Sequence, residues 1–285
     1  MSESILNALF ATSTCTLNAL EPVEVLTFII DQAIESDALA SLYQLSEPFE
    51  PSLLLKDTEF DALAWKGPLC FGAKPSSVLA EQAAVLCLAR RCGMVLAAPA
   101  PEQALAHVRT LLKVDDGSGG QSLLSLGNPH LWAALVLTAG PGAPRLFGPI
   151  SQVLTPVPAY LEVAEHPWYL WPAPTQRQVD GPQRTYDLPP GFLATARTLR
   201  LLYWLDSEHA IFDSPKGGEV ATAVANLETL IEHGMSEGRH LKQLHGHVNG
   251  PLLLDDAHAM AILRSDAKPS AKSEQLAGLA GQNGQ

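Results

Sequence analysis

The chain has 285 residues, 47% of them hydrophobic, which is enough for one large or two ordinary domains, each with its own core. Lys and Arg number 18 against 30 Asp and Glu, giving a formal net charge of -12 at pH 7. Such a charge repels phosphate backbones and anionic lipid, so neither nucleic acid nor a membrane surface is an expected partner. The opening MSESILNALFATSTCTLNAL has no Lys or Arg, and no stretch reaches the ~18 uninterrupted apolar residues of a spanning helix. A cytoplasmic protein is expected, with Cys15, Cys70, Cys87 and Cys92 as reduced, mostly buried thiols.

Residues 1–23 read as an N-terminal extension. VEVLTFII (23–30) is a β-branched and aromatic run of strand length, and in the following DQAIESDALASLYQL the residues Ala33, Leu39, Leu42 and Tyr43 share a helical face. PLCFGA (68–73) predicts a second strand. SSVLAEQAAVLCLARRCG (76–93) predicts a helix with a serine cap, arginines in the last turn and a terminal glycine. MVLAAP (94–99) is a third strand, and Pro101 opens the helix PEQALAHVRTLLKV. DDGSGG (115–120) signals a turn, QSLLSL (121–126) another strand, and PHLWAALVLTA (129–139) another helix. This alternation predicts an α/β (α+β) lobe over 24–150, a mixed sheet with flanking helices.

Residues 151–190 are rich in proline and almost without helical period, so they are expected to be a connector with a short strand at WYLW. From 191 the pattern is helical. Phe192, Ala196, Leu199 and Tyr203 form one stripe, Val220, Val224, Leu227 and Ile231 a second, and Leu241, Leu244 and Val248 a third. A smaller all-helical lobe over 191–265 follows, and the small, polar tail 266–285 is expected to be disordered.

Little in the chain points to chemistry. EHGMSEGRHLKQLHGH (232–247) concentrates histidine, but on one helix His240 and His247 would lie about 10 Å apart along the axis and His245 would point elsewhere. The i, i+3 or i, i+4 spacing of a helical metal pair is missing, so no metal is expected. G-x-S-x-G, S-x-x-K together with its partner motifs, and glycine-rich phosphate loops are also missing, which leaves no expected catalytic residue and no cofactor. A Cys70–His107 pair would rest on no motif. Asp115 with Asp116 and Asp255 with Asp256 read as turn and cap residues. The aromatic run is more informative: alternation puts Trp168 and Leu170 on one face and Tyr169 and Trp171 on the other. These side chains are either binding anchors or packing between lobes.

Several segments, in their order, resemble the effector adaptor or chaperone family of bacterial type VI secretion, abbreviated Tap or TEC. They are Asp31-Gln32-Ala33 with the helix into LYQL, GPLCF (67–71), RRCG, HVRTLLKV, SLLSLGNPHLWAAL (122–135), LFGPI (146–150) and LIEHGMSEGRHLKQL. Within them, Asn128 stands where the family more often has an aspartate, and Ser125 where a basic or aromatic residue is commoner. The resemblance spans about 24–250. It implies a non-enzymatic protein that binds a toxic effector in the cytoplasm and helps load it onto the spike (VgrG-type) protein. On that reading the expected partner-binding residues are Trp168, Tyr169 and Trp171, with Arg197 and Arg200 as polar partners away from the Phe192–Tyr203 stripe. The competing expectation is a hydrolase-like enzyme with an α/β lobe and a helical cap.

Overall fold

The computed structural model describes residues 2–20, 23–45, 47–115, 120–159, 165–175, 186–213, 215 and 217–282. The strands are β1 (Thr14–Cys15), β2 (Leu26–Ile30), β3 (Ser52–Leu53), β4 (Leu69–Ala73), β5 (Gly93–Ala97), β6 (Lys113–Asp115), β7 (Gln121–Leu123), β8 (Gln152–Pro156), β9 (Trp168–Pro172) and β10 (Tyr186–Asp187). Seven of them form one sheet in the order β1-β9-β8-β5-β2-β4-β3, every neighbouring pair antiparallel. The others form a small sheet, β10-β6-β7, parallel at β10–β6. The α/β class expected from the sequence is therefore present. Two compact units divide the chain: Ala8–Ala159 with Val163–Ala196, and Arg197–Gln285 with Met1–Asn7 and Tyr160–Glu162.

In the larger unit, β2 is buried at all five residues because both faces of the sheet are covered. Helices α2 (Ala38–Tyr43), after α1 (Ser2–Phe10), and α3 (Val78–Arg90) cover one face, where Phe28, Phe71, Val95, Leu154 and Trp168 meet Leu42, Ala80, Ala83 and Cys87. Helices α4 (Pro101–Thr110) and α5 (Pro129–Ala139) contact β2 and β8, and α6 (Ala143–Phe147) follows, its Phe147 edge-on to Trp132. Ser77 caps α3 by accepting the Ala80 N–H at 3.1 Å. The residue that ends this helix in the left-handed conformation is Arg91 (φ 49), not the expected glycine. Gly93 serves a different need: a Cβ there would lie 2.6 Å from the Ile29 carbonyl, so only glycine lets β5 approach β2 so closely.

Three expected boundaries are corrected. The supposed connector 151–190 contributes β8 and β9 to the interior of the large sheet, with Leu154 opposite Val95 and Leu170. Its prolines misled because Pro156 and Pro172 stand at strand ends, where a missing N–H interrupts no ladder. Residues 176–185 of that stretch lie outside the described residues, as do 116–119 of the predicted turn. The N-terminal extension is part of the fold, since Thr14 and Cys15 pair with Tyr169 and Trp168 and Leu6 and Leu9 are buried. The tail forms a helix too.

The smaller unit continues from α7 (Phe192–Ser207) through α8 (His209–Phe212), α9 (Gly218–Glu232), α10 (Gly238–Gln243), α11 (His245–Val248), α12 (Ala257–Leu263) and α13 (Pro269–Gln282). Helix α13 replaces the expected disorder: Leu276 and Ser273 are fully buried, and Lys272 Nζ donates to the Leu263 carbonyl at 2.7 Å. Its packed face is the stripe of Lys272, Ser273 and Leu276, which a composition rule for disorder does not register. Asn226, on α9, is also fully buried. Its Nδ2 lies 3.0 to 3.3 Å from the carbonyls of His247, Val248, Gly250 and Pro251, and its Oδ1 accepts the Leu253 N–H at 2.8 Å. Its two amide hydrogens are shared among these carbonyls, so one side chain ties together the backbone of residues 247–253. No helix among the described residues is long and apolar enough to cross a membrane.

Candidate functional site

The five residues singled out in the sequence fall into two groups. Trp168, Tyr169 and Trp171 sit on β9 in the larger unit and are 1%, 1% and 4% exposed, so they are core and not surface anchors. Alternation assigned their faces correctly, but both faces are buried at these positions. Trp168 joins the cluster around Phe28. Trp171 Nε1 donates to Thr155 Oγ1 at 2.8 Å, and its ring lies 5.9 Å from that of Tyr169. The Tyr169 hydroxyl is buried without a partner among the described residues, and burial raises its pKa. Arg197 and Arg200, on α7, are exposed, with Arg197 Nη2 3.7 Å from Glu232.

Several histidines are engaged structurally, and the four cysteines are buried. His233 Nδ1 donates to the Thr229 carbonyl at 2.8 Å, His247 Nε2 to that of Leu276 at 2.7 Å, and His240 is buried. Among the described residues no group of three or more His, Cys, Asp or Glu could hold a metal ion. Desolvation pushes the thiols of Cys70 and Cys92 up to about 12 and that of Cys87 well above its usual value, so none is a thiolate at neutral pH. His107 donates from Nε2 to the Leu146 carbonyl at 2.9 Å, and burial lowers its pKa.

Two concave features of the larger unit bear on function. The first is a pocket of about 250 Å³ where residues 31–33, 66–68 and 123–128 converge. Gln32 Nε2 donates to the Gly67 carbonyl at 2.8 Å, joining the first two segments. Asp31 accepts the Ala33 N–H at 2.8 Å and a hydrogen bond from the Asn128 side chain, joining the first to the third. Gly127 packs so closely on Pro68 that a Cβ would lie 2.7 Å from its Cγ. Burial raises the Asp31 pKa, and these hydrogen bonds oppose the rise. A 3-10 helix, Asp61–Lys66, contributes Leu63 and Lys66 to the lining and holds Trp65 beside it, 83% exposed. Arg109 steadies the neighbouring chain by donating to the carbonyls of Leu54 (3.1 Å) and Leu53 (3.4 Å). Sequence reasoning missed Trp65, which lies in no periodic run; its only signal was a large aromatic next to Lys66-Gly67.

The second is a groove of about 600 Å³ along the edge of β4, with Val25, Phe71, Leu79 and Leu105 in its apolar lining and Glu47, Glu50 and Glu102 among its polar residues. Glu47 accepts the N–H groups of Val78 (3.2 Å) and Leu79 (2.9 Å). Its carboxylate therefore occupies the N-terminus of α3, where an anionic ligand would otherwise be drawn.

No curated protein and no solved structure matches the chain. Residues 28–141, from β2 to just beyond α5, match the model of one protein family, described as a domain of unknown function (DUF4123).

Proposed function

We propose that the chain is a non-enzymatic adaptor that holds a type VI secretion effector in the cytoplasm and assists its loading onto the spike (VgrG-type) protein. One observation carries the reading. Three of the segments on which the resemblance rests, at Asp31–Ala33, Gly67–Phe71 and from Ser122 onward, meet around a single surface pocket flanked by exposed Leu63 and Trp65. All three lie inside the matched residues 28–141. Segments far apart in sequence that share one surface are what a partner-binding face requires, and an exposed tryptophan is the side chain most enriched at binding hot spots. The buried, protonated thiols and the engagement of Glu47 at a helix terminus lend no support to the hydrolase-like alternative.

The test is capture of the effector by the tagged full chain in the producing cell, with bound proteins identified by mass spectrometry. A toxin encoded as a secretion substrate should co-purify. Trp65→Ala should weaken its affinity about 30-fold, the equivalent of a ~2 kcal/mol hot spot. Recovery of no secreted protein, or unchanged affinity after Trp65→Ala, would count against the adaptor reading at this surface.

A further inference from the structure

The edge of the large sheet is sealed over only part of its length. Strand β3 pairs with β4 at two positions, Ser52 with Cys70 and Leu53 with Leu69, while β4 continues to Ala73. The Leu54 N–H donates to the Pro68 carbonyl at 2.9 Å, and Ser52 Oγ reaches the Cys70 carbonyl at 3.4 Å, so the backbone groups of Pro68 and Cys70 face β3. In an antiparallel strand the polar groups of alternate residues face the same side. Gly72 therefore turns its N–H and C=O outward, past the end of β3 and into the groove, which it lines. It has no side chain to screen them. A Cβ would lie 2.8 Å from Val25 Cγ1, so the site has little room for a larger residue.

The surroundings specify an occupant. The apolar lining accepts alternate side chains of an extended strand, while Glu50 and Glu102 are exposed and carry no ion pair among the described residues; Lys74 is the only cation in the lining. We propose that this groove binds an extended segment of a partner protein, added as a strand against Gly72 of β4, with apolar side chains in the groove and Lys or Arg residues against Glu50 and Glu102. Main-chain pairing supplies affinity and the pockets for alternate side chains supply specificity. A second copy of this chain, itself at -12, is a poor electrostatic match.

The inference rests on the reading of the chain as a binding protein. Its test does not depend on the Trp65 surface, so the two can fail separately. The probe is a fluorescein-labelled peptide, Ser-Lys-Val-Arg-Val-Lys-Leu-Arg-Ser, titrated with the full chain by fluorescence polarisation. Saturable binding is expected, weakening as ionic strength rises, and a version with Glu for every Lys and Arg should not bind. Glu50→Lys with Glu102→Lys, both surface changes, should weaken binding about tenfold or more. A single N-methyl group should abolish binding at the one position whose N–H meets the Gly72 carbonyl and leave it intact at its neighbours. Absence of saturable binding, binding that survives the double charge reversal, or equal tolerance of N-methylation at every position would each overturn the proposal.

Discussion

Replacing Trp168 by alanine separates an anchor from a core residue. The side chain is 1% exposed and packs with Phe28, Val95 and Leu154, while Cys15 and Pro156 lie opposite it on the neighbouring strands. A tryptophan buries roughly 150–250 Å², which at about 25 cal/mol per Å² amounts to about 4–6 kcal/mol of transfer free energy. Measured truncations of this kind cost about 3–5 kcal/mol. Against a typical total stability of 5–15 kcal/mol, a loss of about 4 is a large fraction, and for a unit of this size it lowers Tm by roughly 8–16 °C. The assay is thermal unfolding by circular dichroism on wild type and Trp168→Ala, with effector capture measured on both well below their transitions. The folded variant should bind like wild type. An unchanged Tm combined with lost binding would refute the core assignment and restore Trp168 as a contact residue.

Asn226→Ala should destabilise the smaller unit by about 2–4 kcal/mol, because four carbonyls and the Leu253 N–H lose a shared partner; urea unfolding should show the loss, and Asn226→Asp should not rescue it, since a carboxylate cannot donate to carbonyls. Asp31 titrates above the usual 3.8, so the folded state holds its proton more tightly than the unfolded chain. Its contribution to stability is full below about pH 3.8 and is lost as pH rises through the folded value. Asp31→Asn, which keeps an acceptor for the Ala33 N–H, should flatten that part of the stability–pH curve, and an unaltered curve would show that Asp31 is not its source.

The parts legible in the sequence are those whose local pattern suffices. LTFII, LCFGA and the helix after Ser77 declared themselves by period, cap and length, and the helix opened by Pro101 declared its start. The partners of those strands are set by contacts far along the chain, so the antiparallel order could not be read locally. Strand β8 was hidden, and the place of β9 inside the large sheet with it, because proline suggests a loop until its neighbours show that it stands at a strand end. Alternation in WYLW assigned each aromatic a face but could not say what covers that face, and coverage decides between core and anchor. Trp65, an exposed aromatic, lies on a short 3-10 helix with no amphipathic signature. Asn226 reads as an ordinary polar interruption, since its carbonyl partners lie 21 to 25 residues downstream.

The pairing of β1 with β9 also sets a schedule for synthesis. Thr14 is made first, and its partner Tyr169 follows about 155 residues later. At roughly 5–20 residues per second, the N-terminal strand waits about 8–30 s before its pairing partner exists. During that interval β2, β4 and β5 can pair among themselves, while the β5 edge that β8 will occupy stays open to any neighbouring strand. Nascent chains stalled before residue 152 should therefore be captured by general chaperones, and chains released past residue 172 should not.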